Sequence, residues 1–247
     1  MMSGHVPRWL LARPVAHRGL HDKSIGVPEN SLPAFEAAAA AGFPSELDVR
    51  VSNDGIAVVV HDADLGRVTT ASGPVASMDS DELRRLRIGG SEFHLPLLSD
   101  ILEAVDARAP LLVEVKNEGV AGAVEGATMA ALDGYDGEVA VQSFNPLTLQ
   151  WFAAHAPGLT RGLLSGDFRD VEMNDVLRQK LRDLEMFDIA APHFIGYDVR
   201  CLPFEPVAAL RKLGTPVLGW TVTSPEMEAD RRRFCDNVIF EGYVPKG

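Results

Sequence analysis

Short apolar runs and helix-forming runs alternate along this chain, and that alternation constrains its fold more than any other feature of the sequence. Eight short runs, most of them apolar with Val, Ile and Leu prominent, fall at 14–17, 46–51, 111–116, 138–142, 159–164, 188–191, 216–222 and 237–240. Strands buried on both faces need apolar stretches of this kind. Seven stretches with helical spacing or strong helix formers separate them, at 32–41, 100–107, 120–132, 146–155, 171–184, 204–213 and 225–234. Ser31 and Ser99 stand at predicted N-caps, and Asn145-Pro146 and Ser224-Pro225 add proline at the first helical position. Gly42 and Gly214 stand where a helix C-terminus favours a left-handed residue. Strict βα alternation predicts an α/β fold with a parallel sheet, and eight strands predict a closed (β/α)8 TIM barrel. A further β-like run at 56–61, then a turn-rich stretch with a short helix at 80–86, interrupts the pattern. The expected organisation is one barrel domain over 1–247. It has a small insertion at about 62–98, after the second barrel strand, and its final helix is missing or replaced.

Charge and composition remove several function classes. The formal net charge is −12, which argues against sequence-independent nucleic-acid binding and against docking on anionic lipid. An anionic substrate stays possible where local Arg, Lys or a metal reverses the field. Neither Cys201 nor Cys235 lies in a CxxC or similar spacing, so a thiolate zinc site is not expected; two free thiols are the expected state, and a bridge between them is the alternative if the fold brings them together. The apolar run at 9–12 is too short and too closely flanked by Arg8 and Arg13 for a signal peptide. No stretch approaches the ~20 apolar residues that span a bilayer. The expected location is therefore cytoplasmic.

Three clusters carry chemistry, each at or near the C-terminal end of a predicted strand, where barrel active sites assemble. Glu46 and Asp48 are two apart, so on a strand they share a face. Two carboxylates on an otherwise apolar strand are costly to bury without compensation. A divalent cation such as Mg2+ or Ca2+ would compensate with oxygen ligands alone. An exposed edge, or ion pairs to Arg50 and its neighbours, is the alternative. Glu114 and Lys116 repeat the spacing on the next barrel strand, as a third carboxylate ligand and a point charge for phosphate, or as an ordinary buried ion pair. His17 ends the first strand and precedes Arg18, whose planar fork suits phosphate, and Gly19, which leaves room for close approach. His61 follows the run Ala57-Val58-Val59-Val60. Two histidines can take and give a proton at neutral pH. His5, His21, His94, His155 and His193 lack comparable company.

The segments AHRG at 16–19, PENSLPAFEAAAAAGF at 28–43, ELDVRVSNDGIAVVVHD at 46–62, LPLLSDILEAV at 95–105, LLVEVK at 111–116, QSF at 142–144 and GWTV at 219–222 follow one another in an order that resembles the glycerophosphodiester phosphodiesterase family. The likeness runs from about 14 to 244. It implies a barrel with an insertion after the second strand, catalytic roles for His17 and His61, and Arg18 on the substrate phosphate. It also implies metal ligation by Glu46, Asp48 and Glu114. Glu29 of the PEN motif, Lys116, Gln142 and Trp220 match positions that line the family's pocket. The activity implied is metal-dependent hydrolysis of a small glycerophosphodiester to glycerol 3-phosphate and an alcohol. The alternatives are a lysophospholipid or other lipid head group as substrate, near an apolar rim at Trp220 and 194–197, or a non-catalytic phosphate-binding barrel. Two stretches depart from the family pattern. They are 64–70, where a DRTT-like run is usual, and the end of the last strand, where Phe240 and Glu241 replace a polar sequence.

Overall fold

The computed structural model describes residues 6–246, which leaves His5 outside. Its fold class is the (β/α)8 barrel, with eight parallel strands and helical segments between them. The chain divides into two compact units, Val15–Val139 and Ala140 onward with the N-terminal residues up to Pro14.

In the first unit, β1 is Val15–Ala16, β2 Ser45–Val51, β3 Ala57–Val59 and β4 Leu111–Val115. β2 pairs in parallel with β1 and β4, and β3 folds back antiparallel on the last residues of β2. β3 is the extra β-like run, and it opens the segment that interrupts the alternation. That segment has its own core of Val58, Val60, Leu65, Val68, Val75, Leu83, Ile88, Leu95 and Leu97. Between β1 and β2 lies α1, Leu32–Ala40, ended by Gly42 at φ 71° as its position predicted. Ser31 precedes α1 without capping it, because its hydroxyl donates to the Pro28 carbonyl at 2.6 Å. The helix before β4 is Leu98–Val105, starting two residues earlier than expected. Its first turn is closed by Asp100, whose carboxylate accepts from the Leu97 N–H at 2.9 Å, so Ser99 lies inside the helix.

The second unit continues with β5 Val139–Ser143, β6 Thr160–Ser165, β7 Phe194–Asp198, β8 Val217–Val222 and β9 Asn237–Phe240. From β5 to β9 each strand pairs in parallel with the next. Asn145 and Ser224 cap their helices as expected, accepting from the N–H groups of Leu147 at 3.0 Å and Met227 at 3.2 Å. The expected strand at 188–191 is instead part of a short helix, Phe187–Ala190, which ends at Ala191 with φ 42°. The strand is the next apolar run, Phe194–Asp198, buried along its whole length. Gly196 sits there because a Cβ would lie 2.4 Å from Leu164 and 3.4 Å from Trp220. This also corrects the expected apolar rim at 194–197, since Phe194 and Tyr197 are core residues. Among the described residues no helix follows β9. A short N-terminal helix, Trp9–Ala12, is tied to β9 by the Asn237 amide, which donates to the carbonyls of Leu10 at 2.8 Å and Arg13 at 2.6 Å. Among the described residues no helix is long and apolar enough to cross a membrane, and both cysteines are free.

Candidate active site

Strand register builds the centre of the site. Glu46 and Asp48 project from one face of β2, and the β2–β4 register sets Asp48 beside Glu114. Ligand atoms of these three carboxylates lie within 4.8 Å of one another, and all three residues are buried. Arg50 does not neutralise them, because its guanidinium donates to the His61 carbonyl at 2.8 Å and to Glu118 at 3.0 Å. Two other cations do. Lys116 Nζ lies 3.0 Å from Asp48 Oδ1 and touches Glu114 Oε1, and Arg18 Nε lies 3.2 Å from Asp48 Oδ2.

Three carboxylates against two cations leave the cluster short of positive charge, and the shortfall falls on Glu46. Burial, then repulsion from Asp48 and Glu114, pushes its carboxyl well above the usual range. Burial first, and the charge of Asp48, raise Glu114 as well, with Lys116 opposing. Burial would raise Asp48 too, but Lys116 and Arg18 hold it well below an ordinary carboxylate. Glu46 Oε1 is buried with no hydrogen-bond donor among the described residues. An ungratified buried oxygen beside two more carboxylates, in an all-oxygen donor set, fits a hard divalent cation.

The chain around His17 is fixed by a sharp turn. Arg18 takes φ 54° and donates its backbone N–H to Glu46 Oε2 at 3.1 Å. Gly19 follows at φ 77°, where a Cβ would lie 2.8 Å from the Ala34 backbone, so only glycine fits. The turn brings His17 Nε2 to 4.0 Å from Glu46 Oε2. Arg18 Nη1 donates to Glu29 Oε1 at 2.8 Å. Burial would raise Glu29, but hydrogen bonding to Arg67 and the charge of Arg18 hold it below its ordinary value.

His61 lies just past β3. Its Nδ1 is 2.6 Å from Asp62 Oδ1, and since an ionised carboxylate only accepts, that nitrogen carries the proton. Burial, with repulsion from Lys116 and Arg18, lowers the imidazole to about 4. His61 is therefore neutral at pH 7, with its Nε2 lone pair available. The structure thus brings His17, Arg18, Glu29, Glu46, Asp48, His61, Glu114 and Lys116 together within the first unit.

Gln142 and Trp220 belong to the second unit. Gln142 is buried on β5, and its Oε1 has no hydrogen-bond partner among the described residues. Trp220 on β8 meets the Phe144 ring edge-on at 5.4 Å, and its buried Nε1 likewise has no partner there. Phe240 is buried and meets Tyr243 edge-on at 5.6 Å.

Sequence reasoning assigned no role to Asn30, Asp62 or Arg67. Asn30 is buried at φ 53°, and its amide donates to Asp48 Oδ2 at 2.9 Å. Its signal was its place beside Glu29, with a residue type that tolerates the left-handed region. Asn30→Ala removes a donor to a buried charge and is expected to cost about 1.5–3 kcal/mol of stability, read as a lower denaturant midpoint. An unchanged midpoint would mean that Asp48 does not depend on it.

The profile of the glycerophosphoryl diester phosphodiesterase family matches residues 17–242. A glycerophosphodiester phosphodiesterase of Caldanaerobacter subterraneus subsp. tengcongensis is 30% identical over 237 residues, covering 91% of this chain and 92% of the relative. Among solved structures, an Oleispira antarctica phosphodiesterase in complex with its product sn-glycerol-3-phosphate superposes with a TM-score of 0.78 at 23% identity, over 93% of this chain and 92% of that one. The glycerophosphodiester phosphodiesterase of Thermotoga maritima gives a TM-score of 0.69 at 25% identity, over 92% of this chain and 94% of that one.

Proposed function

This chain belongs to the glycerophosphoryl diester phosphodiesterase family, and from that premise we propose that it hydrolyses small glycerophosphodiesters to glycerol 3-phosphate and an alcohol, using a divalent ion, Mg2+ or Ca2+. The observation that carries the reading is the buried triad of Glu46, Asp48 and Glu114, short of positive charge and flanked by Arg18, Lys116 and two histidines. The product bound by the Oleispira enzyme supports a small phosphodiester substrate.

Glu46, Asp48 and Glu114 would hold the ion. When bound, it supplies positive charge that polarises the phosphoryl group and offsets the negative charge growing there. Arg18 takes a phosphate oxygen with its fork while Glu29 keeps the guanidinium in place. Lys116 adds a point charge on the same side. One of His17 and His61 takes a proton from the nucleophile, either water or a neighbouring substrate hydroxyl. The other gives one to the leaving alcohol. Asp62 fixes the His61 ring so that Nε2 is its reacting atom. For Gln142 and Trp220 the family likeness implies contact with substrate.

The test is to assay purified protein on glycerophosphocholine and glycerophosphoethanolamine and on the corresponding lysophospholipids. Release of glycerol 3-phosphate from the deacylated diesters supports the reading. Turnover of lysophospholipid alone would move the substrate class to lipids, and no turnover of either would remove the activity.

A further inference from the structure

The stretch at 64–70 makes its own connections to the site. Asp64 Oδ1 accepts from the Gly66 N–H at 2.8 Å and starts a single tight turn, Leu65–Arg67. Leu65 and Val68, both buried in the core of the inserted segment, anchor that turn on either side of Arg67. The Arg67 side chain stays about half exposed, yet its guanidinium meets two carboxylates at once. Nε donates to Asp62 Oδ2 at 2.5 Å, and Nη2 donates to Asp62 Oδ1 at 3.0 Å and to Glu29 Oε1 at 2.7 Å. Nη1 reaches Glu29 Oε2 at 3.3 Å. Each carboxylate holds one further site residue, Glu29 holding Arg18 at 2.8 Å and Asp62 holding His61 at 2.6 Å.

We propose that Arg67 is a positioning residue for the reaction assigned above, locking the phosphate-binding Arg18 and the proton-transferring His61 into one rigid unit through Glu29 and Asp62. The inference rests on that reading of the site. A planar fork with several donors can bridge two carboxylates, and the single ammonium of lysine cannot reproduce it. Half-exposed ion pairs contribute little to folding. A displacement on the order of 1 Å at reacting groups, by contrast, can cost about 100-fold in rate. The prediction therefore separates positioning from mere structure.

The experiment compares the full-length wild type with Arg67→Ala and Arg67→Lys. It reads kcat and KM for glycerophosphocholine, the thermal midpoint, and the His61 ring 15N shifts, which report its tautomer. Arg67→Ala is expected to lower kcat about 10- to 100-fold with little change in thermal midpoint, and to replace the single Nδ1-protonated form of His61 by a mixture. Arg67→Lys should recover only part of the kcat. An unchanged His61 spectrum in Arg67→Ala overturns the proposal, as does a fall in kcat that merely tracks a fall in thermal midpoint. A wild type that hydrolyses no diester would sink the functional reading, and the His61 spectra would still decide the positioning role.

Discussion

His61→Ala is expected to lower kcat for glycerophosphodiester hydrolysis by about 100- to 10,000-fold, the usual contribution of a general acid or base, and to leave KM nearly unchanged. The expectation follows from the ring's setting. Burial and the two nearby cations keep the imidazole neutral at pH 7, and Asp62 fixes Nδ1 as its donor end. A neutral imidazole held in one tautomer is prepared for proton transfer and has no net charge with which to bind phosphate. The cost therefore belongs in kcat. His17→Ala is expected to behave alike, because His17 faces the same carboxylate cluster from the other strand. The two losses should add to less than their sum when combined, since both histidines act in one proton relay. Either single variant retaining wild-type turnover within threefold or so would remove that histidine from the chemistry.

Asp48→Ala and Glu46→Gln should move stability in opposite directions in metal-free protein. Asp48 carries the compensation for both Lys116 and Arg18, at 3.0 and 3.2 Å, from a fully buried position. Its removal takes from each cation one of two carboxylate partners, leaving Lys116 with Glu114 and Arg18 with Glu29, and should cost about 3–5 kcal/mol. Burial and repulsion from Asp48 and Glu114 oppose the charge of Glu46 more strongly than Arg18 and Lys116 support it. Glu46→Gln keeps an acceptor for the Arg18 N–H and drops that charge, so the metal-free variant should unfold at an equal or higher midpoint. The wild type is expected to gain thermal midpoint with added Mg2+ or Ca2+, because an ion stabilises the folded state that binds it, and both variants should lose that gain. Urea titrations and thermal scans with and without ion read all of this. A marked fall in the metal-free midpoint for Glu46→Gln would mean that Glu46 is already compensated and that the triad is a structural ion-pair cluster.

Most of the site could be read from sequence because it rests on strand periodicity. Residues two apart on a strand share a face, so ELD placed Glu46 with Asp48 and EVK placed Glu114 with Lys116. What the sequence could not convey was register. Only the pairing of Asp48 with Glu114 brings the third carboxylate into the cluster. Asn30, Asp62 and Arg67 were given no role because each acts through another side chain, Asp48, His61 and Glu29 respectively, and only the fold shows which one. The helix at Phe187–Ala190 was misread as a strand for a related reason. Four apolar-rich residues carry no usable period, and the longer buried run of Phe194–Asp198 lay just beyond them. Gly196 within that run has a packing role, and packing partners are not written in local sequence.

The central claim is that a divalent ion on Glu46, Asp48 and Glu114 is required for phosphodiester hydrolysis. The most direct measurement is glycerol 3-phosphate release from glycerophosphocholine by protein stripped with chelator, then titrated with Mg2+ and with Ca2+. The account predicts negligible release in chelator, with restoration by at least one of the two ions. Full turnover in chelator would contradict it.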